Sequence, residues 1–158
     1  LHAALLMTPF AVGSAATSPL AGRLVGRLGR RITLVALGVM MTGTALAAWL
    51  VTSPPDTLWW TLAPAMLLAG IGGGGVISPN FTLSLAEVPP EMGGAAGGAL
   101  QTGQRIGSAL GAALLMTVYQ ATAAVTSAPV AARAALLAAL LVLSVALAAA
   151  VRSWRLGD

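Results

Sequence analysis

The chain of 158 residues contains no cysteine and no lysine, and only 8% of its residues are charged. Without cysteine it can form no disulfide, no thiolate metal site and no thiol nucleophile. Four acidic residues and a single histidine, spread along the chain, provide neither a metal-ligand cluster nor a Ser/His/Asp set, and no phosphate loop is present. The sequence therefore predicts no catalytic site, no metal site and no cofactor.

The scarcity of charge accompanies long apolar segments. Hydrophobic residues make up 58% of the chain, and the mean hydropathy is +0.91, so a water-soluble fold would lack the polar residues needed to cover its surface. A membrane-spanning helix needs roughly 20 apolar residues, and open sheet edges are excluded from lipid. We predict an all-α membrane protein with five spans, at about 2–20, 32–51, 58–80, 97–120 and 133–151.

All eight basic residues are arginine, and four of them lie within "GRLVGRLGRR", residues 22–31. Nucleic acid is excluded as the partner, because the arginines adjoin hydrophobic runs and no aromatic or polar recognition surface accompanies them. Cytoplasmic loops of membrane proteins are enriched in arginine. This pattern predicts a multi-pass protein of the cell membrane, with the 22–31 connection and the C-terminus (Arg152, Arg155) in the cytoplasm and the N-terminus outside.

The four carboxylates fall between or beyond the predicted spans. Helix alternation places Asp56 outside the cell and Glu87 and Glu91 inside, while Asp158 belongs to the tail. Ionisable residues within a membrane span commonly mark a proton or ion pathway. No carboxylate of this sequence lies within a predicted span.

The arginine-rich segment also contains a motif. It consists of Gly22, Arg23, Leu24, Gly26, Arg27, Gly29, Arg30 and Arg31. It resembles the cytoplasmic loop motif of the major facilitator superfamily, G-x-L-a-D-R-x-G-R-R/K, with Gly26 at the position of the motif's Asp. That Asp makes charge-relay and helix-dipole contacts in the family. Its replacement by glycine resembles the weakened copy that the second half of such transporters often carries.

Two further stretches, "PFAVGSAATSPLAGRL" and "GGAAGGALQTGQRIGSALGAALL", resemble the last helices of the fourteen-span drug:proton antiporters. The resemblance implies a C-terminal fragment of a secondary transporter that exports small amphipathic compounds in exchange for protons. Its partners would be the lipid bilayer, the missing upstream helices of the same transporter, the substrate and protons. The alternative is a non-transporting helical membrane module, truncated or regulatory, and the upstream sequence would distinguish the two.

Glycines occur at helical spacing in the third and fourth predicted spans. A dinucleotide-type G-x-G-x-x-G match in "AGIGGGGVISPN" is accidental, because a bilayer-length run precedes it and a proline follows. Small residues instead let helix backbones approach closely. The predicted packing or hinge residues are Gly70, Gly72, Gly74, Gly75 and Pro79 in the third span, and Gly103, Gly107 and Gly111 in the fourth.

A polar stripe lies opposite the glycines of the fourth span. Arg105 is two residues from Gly103 and from Gly107, about 200° around the helix. The candidate cavity-lining residues are Asn80, Gln101, Arg105 and Ser108. The competing interpretation is that Arg105 extends to the interface or pairs with Glu87 or Glu91. The methionines could line an adaptable drug-binding surface or merely fill packing gaps.

Overall fold

The computed structural model consists of five long α-helices and a short 3₁₀ turn, and it describes residues 2–86 and 88–156. The helices are α1 (His2–Leu28), α2 (Arg31–Leu50), α3 (Pro55–Leu85), α4 (Gly93–Ala123) and α5 (Ala128–Leu156), with the 3₁₀ turn at Pro90–Met92. These residues contain no strand, and the predicted all-helical fold is confirmed. Glu87 and Asp158, assigned above to a loop and the tail, lie outside the described residues.

Four described stretches are long and apolar enough to cross a membrane: Arg31–Leu50, Pro55–Leu85, Pro90–Ala123 and Ala128–Arg155. The remaining helix, α1, has 27 residues, more than the roughly 20 that one span requires. Arg23 and Arg27 lie in its last two turns. α2 matches its predicted span to within one residue at each end. The other four helices continue past the predicted spans, since a helix remains favourable beyond the hydrocarbon where its ends meet water and headgroups.

Proline and short turns separate the helices. Pro55 occupies the first position of α3, where its missing N–H costs nothing, and Asp56 in the first turn complements the positive end of the helix dipole. Pro89 and Pro90 likewise precede α4. Because the connections are short, consecutive helices run in opposite directions. The α1–α2 turn, the α3–α4 connection and the end of α5 therefore lie at one end of the bundle, which we call the arginine end.

α3 is the central helix, packed between α1 and α2, while α2 also contacts α5 and α5 contacts α4. The buried hydrophobic side chains are mostly alanines, including Ala47 in α2, Ala65 and Ala69 in α3, and Ala131 in α5. Such small side chains permit close helix approach and hence close van der Waals packing. This packing stabilises helix pairs in lipid, where no hydrophobic driving force acts between them. None of the described residues of α4 is buried, so this helix has open faces.

Candidate functional site

The arginine motif is mostly helical. Its assignment to a loop is wrong for residues 22–28, which form the last two turns of α1, because arginine and leucine both favour helix. Gly29 ends the helix: its φ is +54°, and its N–H donates to the Val25 carbonyl oxygen at 2.8 Å. Glycine reaches this left-handed conformation without strain. Only Gly29 and Arg30 separate α1 from α2.

Two arginines of the motif contact the end of α5. The Arg30 guanidinium donates to the Ser153 carbonyl oxygen at 3.0 Å and to the Ser153 hydroxyl at 2.5 Å. Arg31 lies over the Trp154 ring, 5.9 Å from its centre, within the range of a cation–π contact. The two arginine-rich segments of the sequence therefore meet at one end of the bundle. That this end faces the cytoplasm stays a prediction.

Gly26, which replaces the Asp of the family motif, faces open space. A Cβ atom built on Gly26 would meet nothing within 4 Å, so the position that the motif gives to Asp contacts no neighbouring helix here. Gly22 is closer to α3, because a Cβ there would lie 2.8 Å from the Ser78 hydroxyl oxygen. Within the motif, Arg30 and Arg31 therefore make the described contacts with α5, and Gly22 faces α3.

A small polar cavity of about 270 Å³ opens beside Arg30. It is lined by Arg30, Thr33, Asn80, Leu83, Ser84, Ala150 and Ser153. The structure thus places Asn80, a candidate cavity-lining residue, between α2, α3 and α5 at the arginine end. The other three candidates, all on α4, do not line this cavity.

The glycines of α3 face two helices. A Cβ on Gly74 would lie 2.9 Å from the Ser14 Cα, and Gly70 faces the Phe10 backbone, both in α1. On the other side, a Cβ on Gly72 would lie 2.6 Å from the Ala36 carbonyl oxygen of α2. Gly75 meets the Ala36 side chain. α3 is therefore held between two backbones at close range.

Two glycines on the neighbouring helices belong to the same contacts, and sequence analysis missed them. A Cβ on Gly13 of α1 would lie 2.9 Å from the Ile71 nitrogen, and one on Gly43 of α2 would lie 2.9 Å from the Ala65 carbonyl oxygen. The available signal was small residues at four-residue spacing, Gly13 with Thr17 and Gly43 with Ala47. Pro79, further along α3, is fully buried, and the helix continues through it.

The glycines of α4 differ from those of α3 despite their regular spacing. Cβ atoms on Gly103, Gly107 and Gly111 would meet no described atom within 4 Å. The close helix contact expected there is therefore not made by the part of the chain that the structure describes. This face remains available to another helix.

The polar stripe of α4 is exposed. Gln101, Arg105 and Ser108 are all accessible, and the Ser108 hydroxyl donates to the Gln104 carbonyl oxygen at 2.9 Å. Arg105 makes no ion pair with Glu91 or any other described residue. Since Arg105 has no partner here, its side chain is available for a group outside these five helices.

A larger cavity, which we call the apolar cavity, lies toward the opposite end of the bundle. Its volume is about 680 Å³. It is lined by Leu6, Met7, Val51, Leu62, Met66, Ala112, Leu115, Met116, Tyr119, Ala132, Ala135 and Leu136. These residues come from α1, α3, α4 and α5, together with Val51, which directly follows α2. Tyr119 is the lining residue with a polar side-chain group. Sequence analysis named the methionines but could not bring them together.

The fold and the arginine end agree with a comparison against known families. A family model described as Major Facilitator Superfamily matches residues 1–155. The chain belongs to the major facilitator superfamily. It is accordingly a multi-pass membrane protein of a family of transporters rather than enzymes. Searches of curated proteins and of solved structures each gave no match.

Proposed function

We propose that this chain is the C-terminal part of a drug:proton antiporter that exports small amphipathic compounds. The observation that carries the proposal is the apolar cavity. Its volume of about 680 Å³ is within the range of about 300–1,000 Å³ that suits drug-sized ligands. Family membership supports transport, and the cavity supports an apolar organic substrate.

The lining of the cavity favours varied apolar ligands. Met7, Met66 and Met116 project into it from three different helices. Methionine is flexible and polarizable, so it adapts to ligands of different shapes. The Tyr119 hydroxyl supplies one hydrogen-bonding group among carbon surfaces. A compound with a large apolar body and one polar group fits this arrangement.

Proton coupling requires a group outside these helices. Asp56 lies in the first turn of α3 and Glu91 lies in the 3₁₀ turn, so both occupy helix ends rather than the apolar interior. Arg105 cannot take over this role, because arginine does not deprotonate in proteins. We therefore place proton binding in the upstream helices of the same transporter, against which this bundle would rock during alternating access.

Substrate binding is tested by filling the cavity. Ala112→Phe places a ring in the cavity, whereas Ala113→Phe adds the same ring to the adjacent exposed residue, which does not line it. Binding of a fluorescent amphipathic cation to the purified chain is followed by anisotropy. We expect Ala112→Phe to weaken binding at least tenfold and Ala113→Phe to leave it unchanged. Equal affinity for both variants would refute the assignment of the cavity.

Transport is tested in liposomes with an inward-directed proton gradient. The 158-residue chain alone should insert but give no drug-dependent proton movement, whereas the full reading frame should give it. Drug-dependent proton movement by the chain alone would contradict the need for upstream helices. If the full reading frame binds the cation but moves neither drug nor protons, the non-transporting module is the correct alternative.

A further inference from the structure

A second apolar groove lies on the outside of the bundle between α2 and α5. Its volume is about 600 Å³, and it takes no part in the proposed transport of drugs. It is lined by Met41, Ser144, Leu147, Ala148, Val151, Arg152 and Arg155. We call it the α2–α5 groove. Its walls are mainly carbon, and its end at the arginine end of the bundle carries two guanidinium groups.

The spacing of these residues makes the groove continuous. Ser144, Ala148 and Arg152 recur every fourth residue of α5, as do Leu147, Val151 and Arg155, so the two rows form one helix face. From Ser144 to Arg155 the helix rises about 16 Å at 1.5 Å per residue. Half of a hydrocarbon core is about 15 Å. The groove therefore has the length of one leaflet's acyl chains.

The two arginines of the groove have no protein partner. Arg152 and Arg155 are exposed, and neither forms a hydrogen bond or ion pair with any residue that the structure describes. Arg30, in contrast, donates to Ser153. The described acidic residue at this end, Glu91, makes no ion pair with them. Their charge is thus uncompensated within the described chain.

We propose that the α2–α5 groove binds an anionic phospholipid. Arg152 and Arg155 bind its phosphate, since a guanidinium group matches phosphate geometry with two parallel hydrogen bonds. One acyl chain lies along Leu147 and Ala148 against Met41. Trp154 is beside the arginines in sequence, and tryptophan is enriched at the level of lipid headgroups. The charged end of the groove is therefore at the depth where phosphates lie.

A lipid explains the groove better than a soluble anion does. Free phosphate would use the guanidinium groups but leave the carbon walls uncovered. A lipid satisfies both parts, because its charge complements the arginines and its chain covers the apolar face. A second copy of the chain could also cover the apolar wall, but its matching face would bring the same two arginines toward the site.

The proposal is tested by native mass spectrometry of the purified chain with added phosphatidylglycerol or phosphatidylcholine. We expect phosphatidylglycerol to bind more tightly. Arg152→Gln together with Arg155→Gln should weaken its binding about 30-fold, from about fivefold per arginine near a membrane surface. Arg133→Gln, at the other end of α5, should have no effect. Loss of binding in this control, or full retention in the double variant, would overturn the proposal.

A variant that fills the groove distinguishes lipid binding in the groove from attraction by surface charge alone. Ala148→Phe keeps both arginines but fills the groove, and it should reduce phosphatidylglycerol binding at least tenfold. Glycerol 3-phosphate, which has the phosphate without the chains, should not displace the lipid. Displacement by it, or unchanged binding to Ala148→Phe, would reject the lipid site. A dimer that binds no lipid would assign the groove to a second copy. Circular dichroism checks that each variant remains helical.

Discussion

Replacing Gly74 by alanine should destabilise the bundle, whereas the same change at Gly73 should not. A Cβ on Gly74 would lie 2.9 Å from the Ser14 Cα and 3.0 Å from the Ser14 carbonyl carbon, both backbone atoms of α1. A Cβ on Gly73 would meet only the Phe10 ring, with its nearest atom at 3.3 Å. A ring at the end of a rotatable side chain can move by a few tenths of an ångström, but a helix backbone cannot do so alone.

The size of the effect follows from the position of α3 between two helices. Ordinary carbon contacts are about 3.5–4.0 Å, so α3 would have to move away from α1 by roughly 0.5–1 Å. That movement is blocked on the other side, where Gly72 already contacts the backbone of α2. Overpacking of this kind costs about 1–3 kcal/mol. Both substitutions gain the same helix propensity of about 0.5–1 kcal/mol, so this gain cancels in the comparison.

The measurement is unfolding of the chain in mixed micelles by increasing sodium dodecyl sulfate, followed by far-ultraviolet circular dichroism. We expect Gly74→Ala to be less stable than Gly73→Ala by about 1–3 kcal/mol. Gly107→Ala on α4, whose added Cβ meets no described atom, should behave like Gly73→Ala. If Gly74→Ala were as stable as the other two variants, the close approach of α1 and α3 would be rejected.

Three further predictions concern topology, Arg105 and the link between Arg30 and α5. Because the chain has no cysteine, Thr52→Cys should react with an impermeant thiol reagent added outside intact cells, and Glu91→Cys should not. The reverse labelling would show that the chain has the opposite orientation in the membrane. Arg105→Ala should leave the folded yield unchanged, since Arg105 has no described partner, but it should lower transport by the full transporter. A loss of yield with no loss of transport would exclude a cavity role for Arg105. Arg30→Ala should lower the free energy of unfolding by about 1–2 kcal/mol. In a double-mutant cycle, Ser153→Ala should account for only part of this loss, because the Ser153 carbonyl oxygen remains and still accepts from Arg30. Additive effects of the two substitutions would show that the bond to the Ser153 hydroxyl contributes nothing.

The positions of the helices could be predicted from the sequence because hydropathy is a local property. A run of about 20 apolar residues must form a helix in lipid, since only a helix or a closed barrel satisfies its backbone there. Short connections then force alternation, so the arginines of 22–31 and those at 152 and 155 must share one end. The contacts of Arg30 and Arg31 with α5 agree with that requirement. The exact end of α1 was missed, because arginines predict a polar boundary but do not end a helix, whereas Gly29 does.

Only the tertiary structure decided which glycines are packed. Gly103, Gly107 and Gly111 are as regularly spaced as Gly70 and Gly74, yet the first three face open space and the other two face α1. Regular glycine spacing indicates that a helix has a smooth face. Whether another helix packs against that face depends on residues far away in the chain. The apolar cavity likewise depends on tertiary structure, since it requires residues from α1, α3, α4 and α5 and the residue that follows α2. Hydropathy places each helix in the membrane, while its rotation and neighbours are set by close packing between small residues.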